Sequence, residues 1–83
     1  MAGQKRIVLE KYDVVVHNDD RHTMDEVVAI LCDVFGYPSG LAVKLMYQIH
    51  AVGVAFVARN VHEELAETYA ARLRRYGLKV VLV

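Results

Sequence analysis

His17, Asn18, Asp19, Asp20 and His22 fall within six consecutive positions. Imidazoles, carboxylates and a carboxamide held so close together offer several chemistries. Asp19 and Asp20 with His17 or His22 could hold a metal ion. His50 and an aspartate could activate Thr23 or Cys32 as the nucleophile of a hydrolase. The plainest alternative is structural: Asp19 and Asp20 suit the positive end of a following helix, and Asn18 suits a turn. The metal option matches no known ligand spacing, and a calcium loop needs more oxygens and a central glycine. The hydrolytic option suffers because Thr23 opens a capping motif and Cys32 falls mid-helix, where a small buried thiol is the usual occupant. No catalytic residue, metal or cofactor is assigned.

The elements that must position this stretch are legible on either side of it. Residues from Ile7 to His17 read as extended, because Tyr12, Val14 and Val16 alternate with Asp13, Val15 and His17. Thr23-Met24-Asp25-Glu26 matches a capping box, followed at helical spacing by Val27, Ile30, Leu31, Val34 and Phe35. Gly36 and Pro38 close that helix. A second helix begins near Ser39, with Leu41, Leu45, Ile49 and Val52 as its apolar stripe, Ala42 and Met46 beside it, and Gly53 at its end. Val54–Ala58 predicts a short buried strand. Asn60 predicts the cap of a third helix, whose stripe is Leu65, Ala66, Tyr69, Leu73 and Tyr76 and whose stop is Gly77. Lys79 to Val83 predicts a last strand. Met24 and Met46 suit ordinary core, His50 suits a helix C-terminus, and Arg72, Arg74 and Arg75 suit a solvated face. The order β-α-α-β-α-β predicts an α+β two-layer sandwich: about three mostly antiparallel strands with the helices on one face.

Composition sets the outer limits. A chain of 83 residues, 55% hydrophobic and 24% charged, predicts one folded domain, with residues 1–10 as a short extension and 11–83 as the domain. Ten basic residues balance ten acidic ones, which counts against bulk nucleic-acid binding. The single cysteine excludes an internal disulfide and a thiolate zinc site, and fits a reducing compartment, most simply the cytoplasm. No apolar run approaches the ~20 residues of a membrane span, and the first residues lack the apolar core of a secretion signal. A domain this small needs most of its side chains for the fold, which favours a binding module over an enzyme.

Three segments together resemble the ClpS family, the adaptors that hand N-degron substrates to the Clp protease. The first is Val14-Val15-Val16-His17-Asn18-Asp19-Asp20 followed by Met24. The second is Leu45-Met46-Tyr47-Gln48-Ile49-His50 with Gly53 after it, and the third is Leu65-Ala66-Glu67-Thr68. The resemblance implies a ligand: the free α-amino group and bulky first side chain (Leu, Phe, Tyr or Trp) of a target protein. It assigns the amine to Asn18 and His50, with Asp19 assisting, often through water. It assigns the side-chain pocket to Val16, Asp20, His22, Met24, Val27, Met46, Ile49 and Val80, with Leu78 an alternative floor. It assigns contact with the N-terminal domain of a ClpA- or ClpC-type ATPase to Glu63 or Glu64 and to Tyr69. Tyr69 stands where the family has a lysine, and His22-Thr23 stands where it has Thr-Pro. Members also carry a long N-terminal extension that the unfoldase grips. A related β-α-α-β-α-β plan, that of the ribosomal-stalk C-terminal domain, would bind a protein surface and need neither Asn18 nor His50.

Overall fold

The alternation at Lys11–His17 becomes strand β1, and β1 is the middle of the sheet. The computed structural model describes residues 10–83. In chain order it contains β1 (Lys11–His17), α1 (Met24–Phe35), α2 (Ser39–Val52), β2 (Val54–His62), α3 (Glu63–Arg75) and β3 (Lys79–Leu82). The strand order is β2-β1-β3, with both pairings antiparallel. Val16 lies opposite Ala55 on one side and Val80 on the other, and His17 opposite Val54 and Lys79. The expected two-layer α+β architecture is therefore the one observed. Residues Ile7 to Leu9, expected to begin the first strand, lie outside the described residues.

The helices pack on one face of the sheet. Val14 and Val16 of β1, Ala55 and Val57 of β2 and Val80 of β3 share a core with Val27, Ile30, Leu31 and Val34 of α1 and with buried residues of α2 and α3. The ends of α1 are built as the sequence indicates. The Thr23 hydroxyl accepts from the N–H of Glu26 (3.1 Å), and the Glu26 carboxylate accepts from the N–H of Thr23 (2.9 Å). Gly36 ends the helix at φ 69°. On the opposite face of the sheet Val15 is also buried, between its cross-strand partners Phe56 and Val81. The Arg59 guanidinium covers Phe56 at 4.2 Å from the ring centre.

Three expectations are corrected. First, β2 does not stop at Ala58 but runs on to His62, and Asn60 is not a helix cap. Asn60 takes φ 55°, a backbone state asparagine tolerates, where the β1–β2 register slips. Its N–H donates to the Asp13 carboxylate (2.8 Å). The helix instead starts at Glu63, whose N–H finds the Glu10 carbonyl (3.0 Å). Second, α2 is rotated relative to its predicted stripe: Ala42, Leu45, Met46 and Ile49 are buried, whereas Leu41 and Val52 are exposed. Third, α3 buries Ala66, Ala70 and Leu73 and leaves Leu65 and Tyr76 exposed. Both helices turn small alanines inward, which brings their backbones close to the sheet. Periodicity weighted towards large residues mistakes that geometry. Arg72 and Arg74 are likewise less free than a solvated face suggests. Arg72 donates to the carbonyls of Asp33 and Val34 (3.1 Å each) and Arg74 to that of Val80 (2.8 Å).

The corrected α3 face makes a direct prediction. Leu73→Ala empties a fully buried position and should cost about 2–5 kcal/mol in urea unfolding. Leu65→Ala should change stability by no more than about 0.5 kcal/mol. Similar losses for the two would put the predicted stripe back in place.

Candidate functional site

Everything the sequence singled out around position 18 lies where β1 leaves the sheet. The pairing of β1 with β2 extends one step past His17: Asn18 donates to the carbonyl of Gly53, the residue just before β2 (2.8 Å). Gly53 is the left-handed cap of α2, at φ 95°, and its own N–H returns to the carbonyl of Ile49 (2.9 Å). A side chain there would be strained, so glycine is required. This joint docks the start of the polar loop on the end of α2, whose last turn carries His50. The side chains of Asn18 and His50 are both exposed. A carboxamide oxygen and a neutral imidazole nitrogen are acceptors suited to an ammonium, which brings three N–H donors and one charge.

The apolar residues expected beside them occupy neighbouring layers. Val16 and Val80 face each other across β1 and β3, and both are buried. Val27, Met46 and Ile49 belong to the same core cluster. Met24, the first residue of α1, is 39% exposed and is not part of that cluster. Asp20 is exposed, and Leu78 is buried alongside Val80.

Asp19 and His22 are engaged with each other. The Asp19 side chain is 5% exposed, and its Oδ1 accepts from the N–H groups of Arg21 (2.9 Å) and His22 (3.1 Å). The His22 Nδ1 lies 3.0 Å from both carboxylate oxygens, and its Nε2 lies 2.6 Å from the Tyr76 carbonyl oxygen. Burial works against the charged carboxylate of Asp19, yet the His22 ring and the two backbone N–H groups outweigh it and hold its pKa below the ordinary value. The bond to Asp19, then the bond to Tyr76, raise the pKa of His22. His22 was expected among the pocket residues. Its ring lines a hollow of about 240 Å³ with Glu26, Ala29, Ile30 and Tyr76. A second hollow, of about 260 Å³, lies between Asp33, Arg72, Arg75 and Tyr76. Neither includes Asn18 or His50.

The metal and hydrolytic options find little support here. Among the described residues no group of three or more His, Cys, Asp or Glu side chains could hold a metal ion. Thr23 is committed to its capping box, and Cys32 is half-buried within α1. No helix among the described residues is long and apolar enough to cross a membrane.

On α3, Glu63 and Glu64 are exposed in the first turn, where the helix dipole favours carboxylates. Tyr69 is half-buried, its ring 4.5 Å from that of Phe35, which stacks on Tyr37 at 4.9 Å. The Tyr37 hydroxyl donates to the Val57 carbonyl (2.6 Å). The turn at Tyr76–Gly77 was not anticipated as part of the loop's surroundings. It meets His22 across 54 positions of sequence, a separation that no periodicity encodes.

Comparison with known proteins fits this arrangement. Residues 9–81 match the family model described as ATP-dependent Clp protease adaptor protein ClpS. The ATP-dependent Clp protease adapter protein ClpS of Desulfotalea psychrophila is 40% identical over 60 residues, 72% of this chain and 58% of that protein. The protein of the same name from Treponema denticola is 38% identical over 76% of this chain and 62% of its own length. That from Clostridium acetobutylicum is 42% identical over 82% and 66%. The chain thus spans about three fifths of the length of the first two. Its fold is that of the structure of Agrobacterium tumefaciens ClpS2 bound to L-phenylalaninamide, with a TM-score of 0.84, 24% identity, and coverage of 92% of this chain and 98% of that one. With a family model matched over nearly all of the described residues, the chain belongs to the ClpS family of Clp protease adaptors.

Proposed function

We propose that this chain is a non-catalytic adaptor that binds the free α-amino group and bulky hydrophobic first residue of N-degron proteins and delivers them to a Clp-type ATPase. The observation that carries this reading is the docking of Asn18 on Gly53. It brings an exposed carboxamide to the helix end that bears an exposed imidazole. Asn18 and neutral His50 accept from the ammonium. Asp19 assists through water, its Oδ2 having fewer partners than its Oδ1. Val16, Val27, Met46, Ile49 and Val80 form the floor and walls for the side chain, with Asp20 and His22 at the loop side. Burying a Leu or Phe side chain there contributes about 1.5–3 kcal/mol. The ligand of the ClpS2 relative, L-phenylalaninamide, has the same two parts, a free amine and a benzyl group.

Contact with the ATPase falls to α3, through Glu63 or Glu64 and the surface around Tyr69. A ring packed on Phe35 supplies no cation in place of the family's lysine. The partner on this reading is the N-terminal domain of a ClpA- or ClpC-type ATPase whose surface does not demand that charge. The compartment is the cytoplasm, where a lone thiol such as Cys32 stays reduced. A stalk-type interaction domain would share the layer plan but would not discriminate among peptide end groups.

Titration with a Leu- or Phe-initiated peptide and its N-acetylated twin tests the amine site. The free peptide should bind at least about 100-fold tighter, because the acetylated one has neither the positive charge nor the three N–H donors that the site accepts. Equal affinity would refute the reading. Affinity should also fall on acidification, since a protonated imidazole becomes a donor and repels an ammonium. A flat profile would remove His50 as an acceptor. Met24→Ala should admit the β-branched first residues Ile and Val, improving their affinity relative to Leu severalfold, or about 1 kcal/mol. An unchanged ratio would remove Met24 from the rim.

A further inference from the structure

We propose that His22 is a positioning residue: doubly protonated, it ties the loop carrying Asn18, Asp19 and Asp20 to the turn between α3 and β3, and so fixes where the amine-binding groups stand. The inference rests on the proposed amine site, which it deepens.

The argument begins from what the ring faces. On its Nδ1 side is the Asp19 carboxylate, 3.0 Å away, and on its Nε2 side the Tyr76 carbonyl oxygen, 2.6 Å away. A backbone carbonyl can only accept. The Asp19 carboxylate already accepts from the N–H groups of Arg21 and His22, which favours its ionised, acceptor-only form. Two acceptors on opposite sides of one imidazole require two N–H donors, and only the imidazolium has both. A neutral ring, in either tautomer, would turn a lone pair towards an oxygen lone pair. Other groups around the ring agree with a cation there. From α1, the Glu26 carboxylate lines the same hollow, and from α3 Tyr76 lines it with a hydroxyl held by the Asp33 carboxylate. Arg21, a neighbouring cation, directs its guanidinium to the carbonyl of Gly77 (3.1 Å), so the loop is fastened to this turn at two points.

Gly77 is shaped for this contact. It takes φ 86°, and a Cβ on it would stand 3.3 Å from Cε1 of His22. A larger residue would strain the backbone and crowd the ring from the one direction that brings the Tyr76 carbonyl within reach. The loop is thereby held at both ends. Asn18 is bonded to Gly53 at one end, and His22 with Arg21 is bonded to the Tyr76–Gly77 turn at the other. The Asp19 carboxylate gathers the backbone between them. Losing the proton on His22 removes one of its two bonds and loosens the second end, where the Arg21 bond to Gly77 remains.

The sign of the pH effect follows. The raised pKa of His22 means its contribution to stability is complete below the ordinary histidine value and is lost as pH rises through the raised one. The lowered pKa of Asp19 means its contribution is complete above the ordinary aspartate value and is lost as pH falls through the lowered one. The clamp is therefore intact between the ordinary aspartate and histidine values and opens as pH rises through the raised value of His22.

Two measurements on the full chain test this. Ring nitrogen NMR of the peptide-free protein should show both His22 nitrogens protonated in most molecules at the ordinary histidine pKa, where a free imidazole is half neutral. It needs no variant, so it decides even if His22→Gln fails to fold. The second compares the affinities of His22→Gln and wild type for one Leu-initiated peptide as pH rises. Because the peptide's own amine titrates identically in both, only the protein differs. The variant should bind about tenfold more weakly below the ordinary histidine value, and the ratio should shrink towards one as pH rises through the raised value and the wild type loses its own clamp. A neutral His22 ring with intact peptide binding would overturn the clamp and leave the amine site standing, as would a variant deficit that does not change with pH. A protonated ring in a wild-type chain that binds no peptide would overturn the amine site and, with it, the positioning role.

Discussion

The placement of β1 at the centre of the sheet is the constraint on which the remainder depends. A strand paired on both edges has nowhere to go when it ends, and here both neighbours supply partners up to its last residue, His17. The chain must then turn out of the sheet at Asn18, and the first N–H beyond the ladder is claimed by the cap of α2 at Gly53. One hydrogen bond thus brings together the exit of the middle strand and the end of a helix from a different part of the chain. In a domain of this size, with its interior filled by valine, alanine and leucine, such a junction is one of the few places where polar groups can converge without being buried unpaired. Among the described residues no buried side-chain polar atom lacks a partner.

That junction divides the labour of the Asn-Asp-Asp stretch. Three adjacent polar residues look equivalent in sequence but stand in different surroundings. Asn18 keeps its side chain exposed while its backbone is fixed. Asp19 turns inward and organises the loop through Arg21 and His22. Asp20 remains in solvent. The carboxylate that looks most available from the sequence is the one the fold has most nearly consumed. Its oxygens are engaged by the ring beside it, so on the proposed reading acceptance by Asn18 and His50 is the main means of recognising an amine.

What the sequence discloses here, and what it conceals, follows from how local each signal is. Thr23, Gly36 and Gly53 act within one helical turn, so their capping roles are legible and correct. The Val14/Val16 alternation is equally local, and it names the core face of the middle strand. Errors appear where distant packing decides. Asn60 carries the composition of a cap, yet the Asp13 side chain on the neighbouring strand draws its N–H into a bulge. Leu41 and Leu65 carry the size of core residues, yet the close approach of α2 and α3 gives the inward positions to Ala42, Ala66 and Ala70. In the candidate site, Asn18, Met24, Met46 and His50 are indicated by the family resemblance, whereas their types alone suit a turn, core positions and a helix end. The contact of His22 with Tyr76 requires two turns of the chain to meet and leaves no trace in either.

The two histidines of this region stand in different surroundings. His50 is exposed in the last turn of α2, and on the proposed reading it offers a lone pair to an ammonium. His22 is 12% exposed between a carboxylate and a carbonyl, two acceptors that favour a ring with two N–H groups. The family's usual Thr-Pro ahead of Met24 would restrain this loop through a fixed proline φ and a small hydroxyl. In this chain His22 and Thr23 restrain it through charge and a capping box instead. The same positions are ordered by a different interaction, and that order now depends on a proton.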